Sequence, residues 1–180
     1  MLIDLQLHST YSDGYLTPTQ LASFMHRQGV KVASLTDHNT IRGIEEFKRA
    51  CRKYGIKTVP GIELYIRFNG KRMNLLWFNF SDDPSLHNLL RDSQTRRRTK
   101  ARIALERLLD HGFKINPDKL LDQFNHYVPL NHLIGAIWKD KENRKIIKRD
   151  LGTDTPRGEE IIKEYFMNKK KSILTETHIS

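Results

Sequence analysis

Cysteine is nearly absent from this sequence: among 180 residues there is only one, Cys51. One thiol closes no internal disulfide, which excludes a stapled extracellular scaffold and leads us to expect a reducing, cytoplasmic setting. Long apolar runs are missing as well. Lys, Arg or Asp interrupts each hydrophobic stretch before the roughly 18 residues that a bilayer-spanning helix needs. Met1 leads straight into Leu2-Ile3-Asp4 without the basic and apolar regions of a secretory signal. No membrane partner is expected. Glycine and proline, at 10 and 6 residues, nowhere gather into a linker or low-complexity tract. The length suits one well-buried domain, or a domain carrying an insertion, rather than two large domains.

Positive charge is present in excess. The 31 Lys and Arg outnumber the 21 Asp and Glu, for a formal net charge of +10. The surplus is uneven: residues 1–65 hold 8 basic against 6 acidic side chains, and the remainder 23 against 15. Such a field favours a phosphorylated small molecule or nucleic acid by long-range attraction, although solubilisation by charge explains it equally well. Aromatic residues are sparse in the basic segments 91–107 and 139–149, so base stacking there is not expected.

Residues 2–8 predict a short strand. Thr17-Pro18-Thr19-Gln20 reads as an N-cap, a first-turn proline and a capping-box glutamine. They open a helix over about 18–28, with Leu21, Phe24 and Met25 on one face and Gly29 at its end. Val30–Leu35 is a second strand. Ile44, Phe47 and Cys51 mark a second helical face that Gly55 ends, and Ile56–Val59 and Ile62–Ile66 are strands on either side of Pro60-Gly61. Gln28-Gly29-Val30-Lys31 returns as Tyr54-Gly55-Ile56-Lys57, so helix, glycine stop and strand recur at one spacing. That α/β order predicts parallel strands with functional side chains at their carboxyl ends. Asn69-Gly70 predicts a hairpin returning over 73–80. Leu86, Leu89 and Leu90 then open a helical pattern that Ile103 to Leu109 resume, across a polar stretch 91–100 that reads as a solvated helix face or a kinked junction. The expected division is 1–80, a helical insertion over 81–168, and a return over 169–180.

Three polar clusters each follow an apolar run: Gln6-Leu7-His8 with Ser12-Asp13-Gly14, Thr36-Asp37-His38-Asn39, and Pro60-Gly61-Ile62-Glu63. Taken singly, His8, Asp13 and the Asp37-His38 pair read as turn, capping or structural residues. Glu63 is different, because an unpaired carboxylate inside an apolar strand demands a cation or strong donors. Imidazoles and carboxylates carried to one rim by successive strands can surround divalent metals, and such metals perform hydrolysis.

These segments, together with Asp4-Leu5-Gln6-Leu7-His8-Ser9, resemble in order and spacing the opening motifs of the PHP (polymerase and histidinol phosphatase) superfamily. Val128-Pro129-Leu130-Asn131-His132 resembles, more weakly, the segment where relatives carry Arg-Pro-His. The resemblance implies a distorted (β/α)7 barrel with a helical insertion, and a cluster of up to three metals, Zn, Mn or Fe, that hydrolyses phosphoesters. It implies His8, Asp13, His38 and Glu63 as metal ligands, with Glu63 and His38 at the catalytic centre and His132 on the substrate phosphate.

Departures from the pattern shape the expectation. Gln6 stands where relatives usually carry a first-motif His, Asn74 where another His is expected, and Leu130 where Arg is expected. Ser180 precedes the Ala-His-Pro and Asp-x-His motifs, so about the last third of such a domain is expected beyond it and the barrel is incomplete. An open strand edge is then expected to be covered by the helical region, by an oligomer or partner chain, or by the rest of a longer protein. Four ligands split between two metal sites imply weak or lost metal binding. Two functions follow: a metal-dependent phosphoesterase acting on nucleotides or oligonucleotides, or a catalytically degenerate module that binds nucleic acid or a protein.

Overall fold

The computed structural model describes residues 1–125 and 127–167. The expected return over 169–180 lies outside the described residues. Packing divides the chain into two compact units, Met1–Gln94 and Thr95–Ser180.

The first unit opens with alternating strands and helices: β1 Leu2–Leu7, α1 Pro18–Arg27, β2 Val30–Leu35, α2 Ile44–Lys53 and β3 Lys57–Thr58. The Thr17 hydroxyl accepts from the Gln20 amide at 3.2 Å, and the Gln20 side chain accepts from the Thr17 amide at 3.0 Å, so the expected capping box forms. β1, β2 and β3 pair in parallel in that order. Leu7, Leu21, Met25, Val30, Leu35, Phe47 and Cys51 close the core between this sheet and its helices. Burial pushes the Cys51 thiol up to about 11, which makes it an inert packing group. Among the described residues β1 is the edge strand, and its Leu2, Ile3 and Leu5 are 52%, 47% and 39% exposed.

β4 Gly61–Phe68 and β5 Lys71–Phe78 form an antiparallel hairpin. Asn69 and Gly70 turn it with φ of 48° and 74°, the twin positive values of a tight hairpin turn. The start of β4 rejoins the parallel sheet in register and in hydrogen bonding: the Asn39 amide donates to the Glu63 carbonyl at 3.0 Å and the Glu63 amide to the Asp37 carbonyl at 3.4 Å. Val32 pairs with Lys57, Ala33 with Thr58 and His38 with Glu63, all at the same offset in sequence. Pro60, lacking an N–H, interrupts the ladder between them, and the chain then resumes the same line. Glu63 therefore lies at the carboxyl end of a third parallel run although it is the third residue of β4.

The division between units falls within α3 Pro84–Asp110, a single 27-residue helix where a kinked junction was one expectation. In the first unit Leu86 and Leu90 pack with Ile62 and Leu64. In the second, Ala101, Ala104, Leu105 and Leu108 pack with residues of α5 Leu130–Trp138, α6 Lys141–Leu151 and α7 Gly158–Ile162. The basic stretch is only partly solvated. Arg97 is buried, donates to the Val128 carbonyl at 2.7 Å and lies 4.0 Å from the Tyr127 ring centre. Arg98 donates to the carbonyls of Leu121 and Phe124 at the end of α4 Pro117–Leu121, and Arg102 pairs with Asp118 at its start. These guanidinium groups bind the helices of their own unit. No helix among the described residues is long and apolar enough to cross a membrane.

Asp150 ties α6 to the chain after α7. It accepts from the Tyr165 hydroxyl at 2.7 Å and the Arg149 guanidinium at 3.0 Å, with His111 Nε2 at 3.3 Å. Burial works to raise its pKa, but those three partners outweigh it and hold the carboxyl below its ordinary value. The folded value thus lies under the unfolded one. The contribution to stability is complete above about pH 3.9 and disappears as pH falls through the lower folded value. An Asp150→Asn chain is expected to be less stable at neutral pH, and its stability to fall less steeply below about pH 4 than the parent's in circular-dichroism melts. Equal slopes would contradict this role.

Candidate metal centre

The turn after β1 is built around Asp37. This carboxylate is 1% exposed and sits just past β2. Its Oδ1 accepts from the Ser9 amide at 2.7 Å and the Ser12 hydroxyl at 2.6 Å, and its Oδ2 from the Ser9 hydroxyl at 2.7 Å. Burial nevertheless raises its pKa against those bonds. Asp37 is a clamp that folds residues 9–14 over the ends of β1 and β2. Gly14 completes the turn: its amide donates to the Ser9 carbonyl, and a Cβ there would meet the His8 carbonyl oxygen at 2.2 Å. Asp13 is thereby pressed beside His8.

Four expected ligands come together. His8 follows β1 and His38 follows β2, their rings 4.6 Å apart. His8 Nε2 lies 2.9 Å from Glu63 Oε2, and His8 Nδ1 lies 3.0 Å from Asp13 Oδ1. His38 Nε2 is 3.6 Å from Asp13 Oδ2. Burial lowers the His8 pKa, but Asp13, Glu63 and Asp37 together raise it above the ordinary value. Burial likewise works to raise that of Asp13, and the two imidazoles outweigh it to bring it down.

The arrangement fits a metal on two grounds. One donor atom from each of His8, His38 and Glu63 lies within 4.8 Å of the others, and ligands of one divalent ion at ~2.0–2.2 Å from it must be mutually that close. Glu63 is also 3% exposed, and a carboxylate so buried demands cationic compensation. Asp13, at 38% exposure, is the one carboxylate of the four that reaches solvent.

Other side chains fix this group. The Tyr65 ring stacks on His38 at 4.5 Å and 14°. Asn39, at a φ of 48°, accepts from the Tyr65 amide through its Oδ1, while its own amide donates to the Glu63 carbonyl at 3.0 Å. Gln6 donates its Nε2 to Glu63 Oε2 at 3.2 Å. Asn74 lies directly across the hairpin from Tyr65 and is exposed. His132 lies on the first turn of α5 in the second unit, 6.3 Å from the Phe124 ring. Sequence reasoning missed the clamp at Asp37 and the stacking of Tyr65; serines at positions 9 and 12 were the only signal for the former.

Comparison with known proteins adds to this geometry. A match to the PHP domain covers residues 4–174. The chain is 37% identical over 99 residues to a 5'-3' exoribonuclease of Haemophilus influenzae, covering 54% of this chain and 36% of that protein. It is 28% identical over 125 residues to a phosphoribosyl 1,2-cyclic phosphate 1,2-diphosphodiesterase of Eggerthella lenta, covering 68% and 48%. The chain thus spans between about a third and a half of the length of these curated relatives. A solved structure described as a metal-dependent phosphoesterase from Bifidobacterium adolescentis matches with a TM-score of 0.68 at 20% identity, over 97% of this chain and 58% of that one. An amidohydrolase structure from Chromobacterium violaceum matches with a TM-score of 0.66 at 22% identity, over 82% and 54%. At those identities the likeness is one of fold, and it agrees with the expected incomplete barrel.

Adding Mn²⁺ or Zn²⁺ is expected to raise the melting temperature in a concentration-dependent way, since a ligand that binds only the folded state stabilises it by about 2.7 kcal/mol at a hundredfold excess over Kd. Glu63→Gln and Gly14→Ala are each expected to abolish most of that shift, the first by removing a donor and the second by displacing Asp13. A Gly14→Ala chain that responds to metal like the parent would show that the turn does not position the site.

Proposed function

The chain belongs to the PHP domain family, and from that premise we propose that it is a metal-dependent phosphoesterase domain acting on nucleotide or oligonucleotide phosphoesters. The observation that carries the reading is the convergence of His8, His38 and Glu63 donors within 4.8 Å at the ends of three parallel runs. The named activities of the exoribonuclease and cyclic-phosphate relatives support the substrate class.

His8, Asp13, His38 and Glu63 would hold the metal, and this mixed imidazole and carboxylate set suits Zn, Mn or Fe. A divalent ion supplies charge neutralisation for the phosphate and activation of the attacking water. The protein's part is to hold that chemistry in place. Glu63, buried and joined to His8 and Gln6, fixes the inner side of the group. His38 is kept in one plane by Tyr65, and Asp13 faces both imidazoles from the solvent side. His132 is assigned to the substrate phosphate on the resemblance of the 128–132 segment alone. A partner or second copy over the open edge of β1 is supported by the exposed Leu2, Ile3 and Leu5.

The alternative reading, a degenerate module that binds nucleic acid or a protein, draws on Gln6, whose amide donates where an imidazole would ligate. Arg97, Arg98 and Arg102 are engaged within their own unit, which leaves the other basic side chains of 91–107 and 139–149 to carry it.

Metal content by plasma mass spectrometry, with turnover of bis(p-nitrophenyl) phosphate and a 5'-phosphorylated oligoribonucleotide, tests the proposal. Bound divalent metal and chelator-sensitive turnover are expected. Glu63→Gln or His38→Ala should lower kcat/KM by roughly a hundredfold or more, since even outer partners of metal ligands are worth 10–100-fold. Absence of both metal and turnover would leave the binding module.

A further inference from the structure

The end of the first unit opposite the metal centre carries charge of one sign. β2 and β3 begin there and α1 and α2 end there, because each crossover helix runs back along the parallel strands. Arg27 closes α1, Arg52 and Lys53 close α2, and Lys31 and Lys57 lie at the starts of β2 and β3. All five side chains are exposed. Carboxylates are placed elsewhere. None occurs over residues 14–36 or 47–62, and Glu45 and Glu46 occupy the first turn of α2, toward the carboxyl end of the sheet. Asp4 lies within the sheet opposite Ala33 and accepts from the Gln6 amide. Among the described residues none of the five cations forms an ion pair.

Helix ends account for part of this pattern. Each helix C-terminus carries about half a negative charge, so the two together balance about one cation and leave an excess of about four. Lys31 and Lys57, moreover, belong to strands. Charge that served only solubility would need no particular neighbours, but these cations flank an aromatic platform. His26 in the last turn of α1 and Tyr54 just past α2 stack with ring centres 4.8 Å apart at 21°, and both are exposed, Tyr54 at 36%. The stack joins the two helix ends, and Arg27 and Lys53 are the next residues in the chain to His26 and Tyr54. Arg27 uses one of its five N–H donors on the Ser23 hydroxyl at 2.9 Å.

We propose that this face binds single-stranded nucleic acid, its cations meeting successive phosphates and the His26–Tyr54 pair offering a ring on which an unpaired base stacks. A duplex keeps its bases stacked inside and could use only the charge. A membrane-binding face sets large apolar side chains among its cations, whereas both rings here carry polar tips. The six residues of β2 span ~20 Å between this face and His38, so the surface is distinct from the metal centre and its binding does not rest on the phosphoesterase reading. On that reading it would hold the body of a strand whose end is at the metals.

Fluorescence anisotropy of the full chain with labelled dodecathymidylate, in the presence of a chelator, tests the proposal without engaging the metal centre. Binding that weakens as salt rises is expected. Neutralising two cations in an Arg27→Gln, Lys53→Gln double variant should lower the slope of log K against log salt by about 1.4, at ~0.7 per phosphate contact on a single strand. Tyr54→Ala should weaken binding by about fivefold or more, and Tyr54→Phe should retain it. A melting curve checks the fold of each variant. Arg27 and Lys53 are exposed at helix ends, so the double variant stays informative if Tyr54→Ala does not fold. Absence of binding, folded variants that keep the parent's affinity and salt slope, or equally tight binding of a duplex, of anionic phospholipid vesicles or of polyglutamate would overturn the proposal. Failure of the metal reading shows separately, as a parent chain whose melting temperature does not respond to Mn²⁺ or Zn²⁺.

Discussion

A carboxylate buried to 3% exposure governs the first unit. Glu63 cannot sit there at neutral pH without compensation, because desolvating an ion in a protein interior costs several kcal/mol unless partners repay it. The partners present are the His8 imidazole and the Gln6 amide, both from the end of β1. Everything else in the unit works to bring β1, β2 and the start of β4 to that meeting point. The shared register of the β2, β3 and β4 pairs sets Glu63 beside His38, and the Asp37 clamp folds the next loop back so that Asp13 faces both histidines. A cation at this point would satisfy Glu63 and relieve the crowding of two imidazoles against two carboxylates.

What could be read in the sequence was local. The Thr17–Gln20 capping box, the glycine after α1 and the Asn69-Gly70 turn each involve residues a few positions apart, and all formed where expected. The alternation of strand and helix placed His8, His38 and Glu63 at comparable strand ends, so their convergence was legible too. Partners distant in sequence were not. Ser9 and Ser12 reach Asp37 across 28 and 25 positions, and nothing in a pair of serines announces a buried aspartate. Glu63 reaches its place through a strand whose pairing Pro60 interrupts, so the two-residue β3 was shorter than the apolar run suggested.

The basic stretch of α3 was legible as a largely solvated helix face, but the internal partners of its arginines were not. Composition alone treats Arg97, Arg98 and Arg102 as surface charge. In the fold they meet Tyr127, Val128, Leu121 and Asp118, partners 16 to 31 residues away, and Arg98 and Arg102 each pair with an aspartate of the unit. Their aspartate partners are already counted in the net charge of +10, so this pairing fixes where the charge sits rather than its size.

The central claim is that His8, His38 and Glu63 form the seat of a divalent metal. Anomalous diffraction from crystals of the chain grown with Mn²⁺ or Zn²⁺, recorded at the metal's absorption edge, tests it most directly. The account predicts a peak ~2.0–2.2 Å from the imidazole nitrogens and a Glu63 oxygen, with Asp13 beside it. A peak elsewhere, or none with His8 still paired to Glu63, would contradict it.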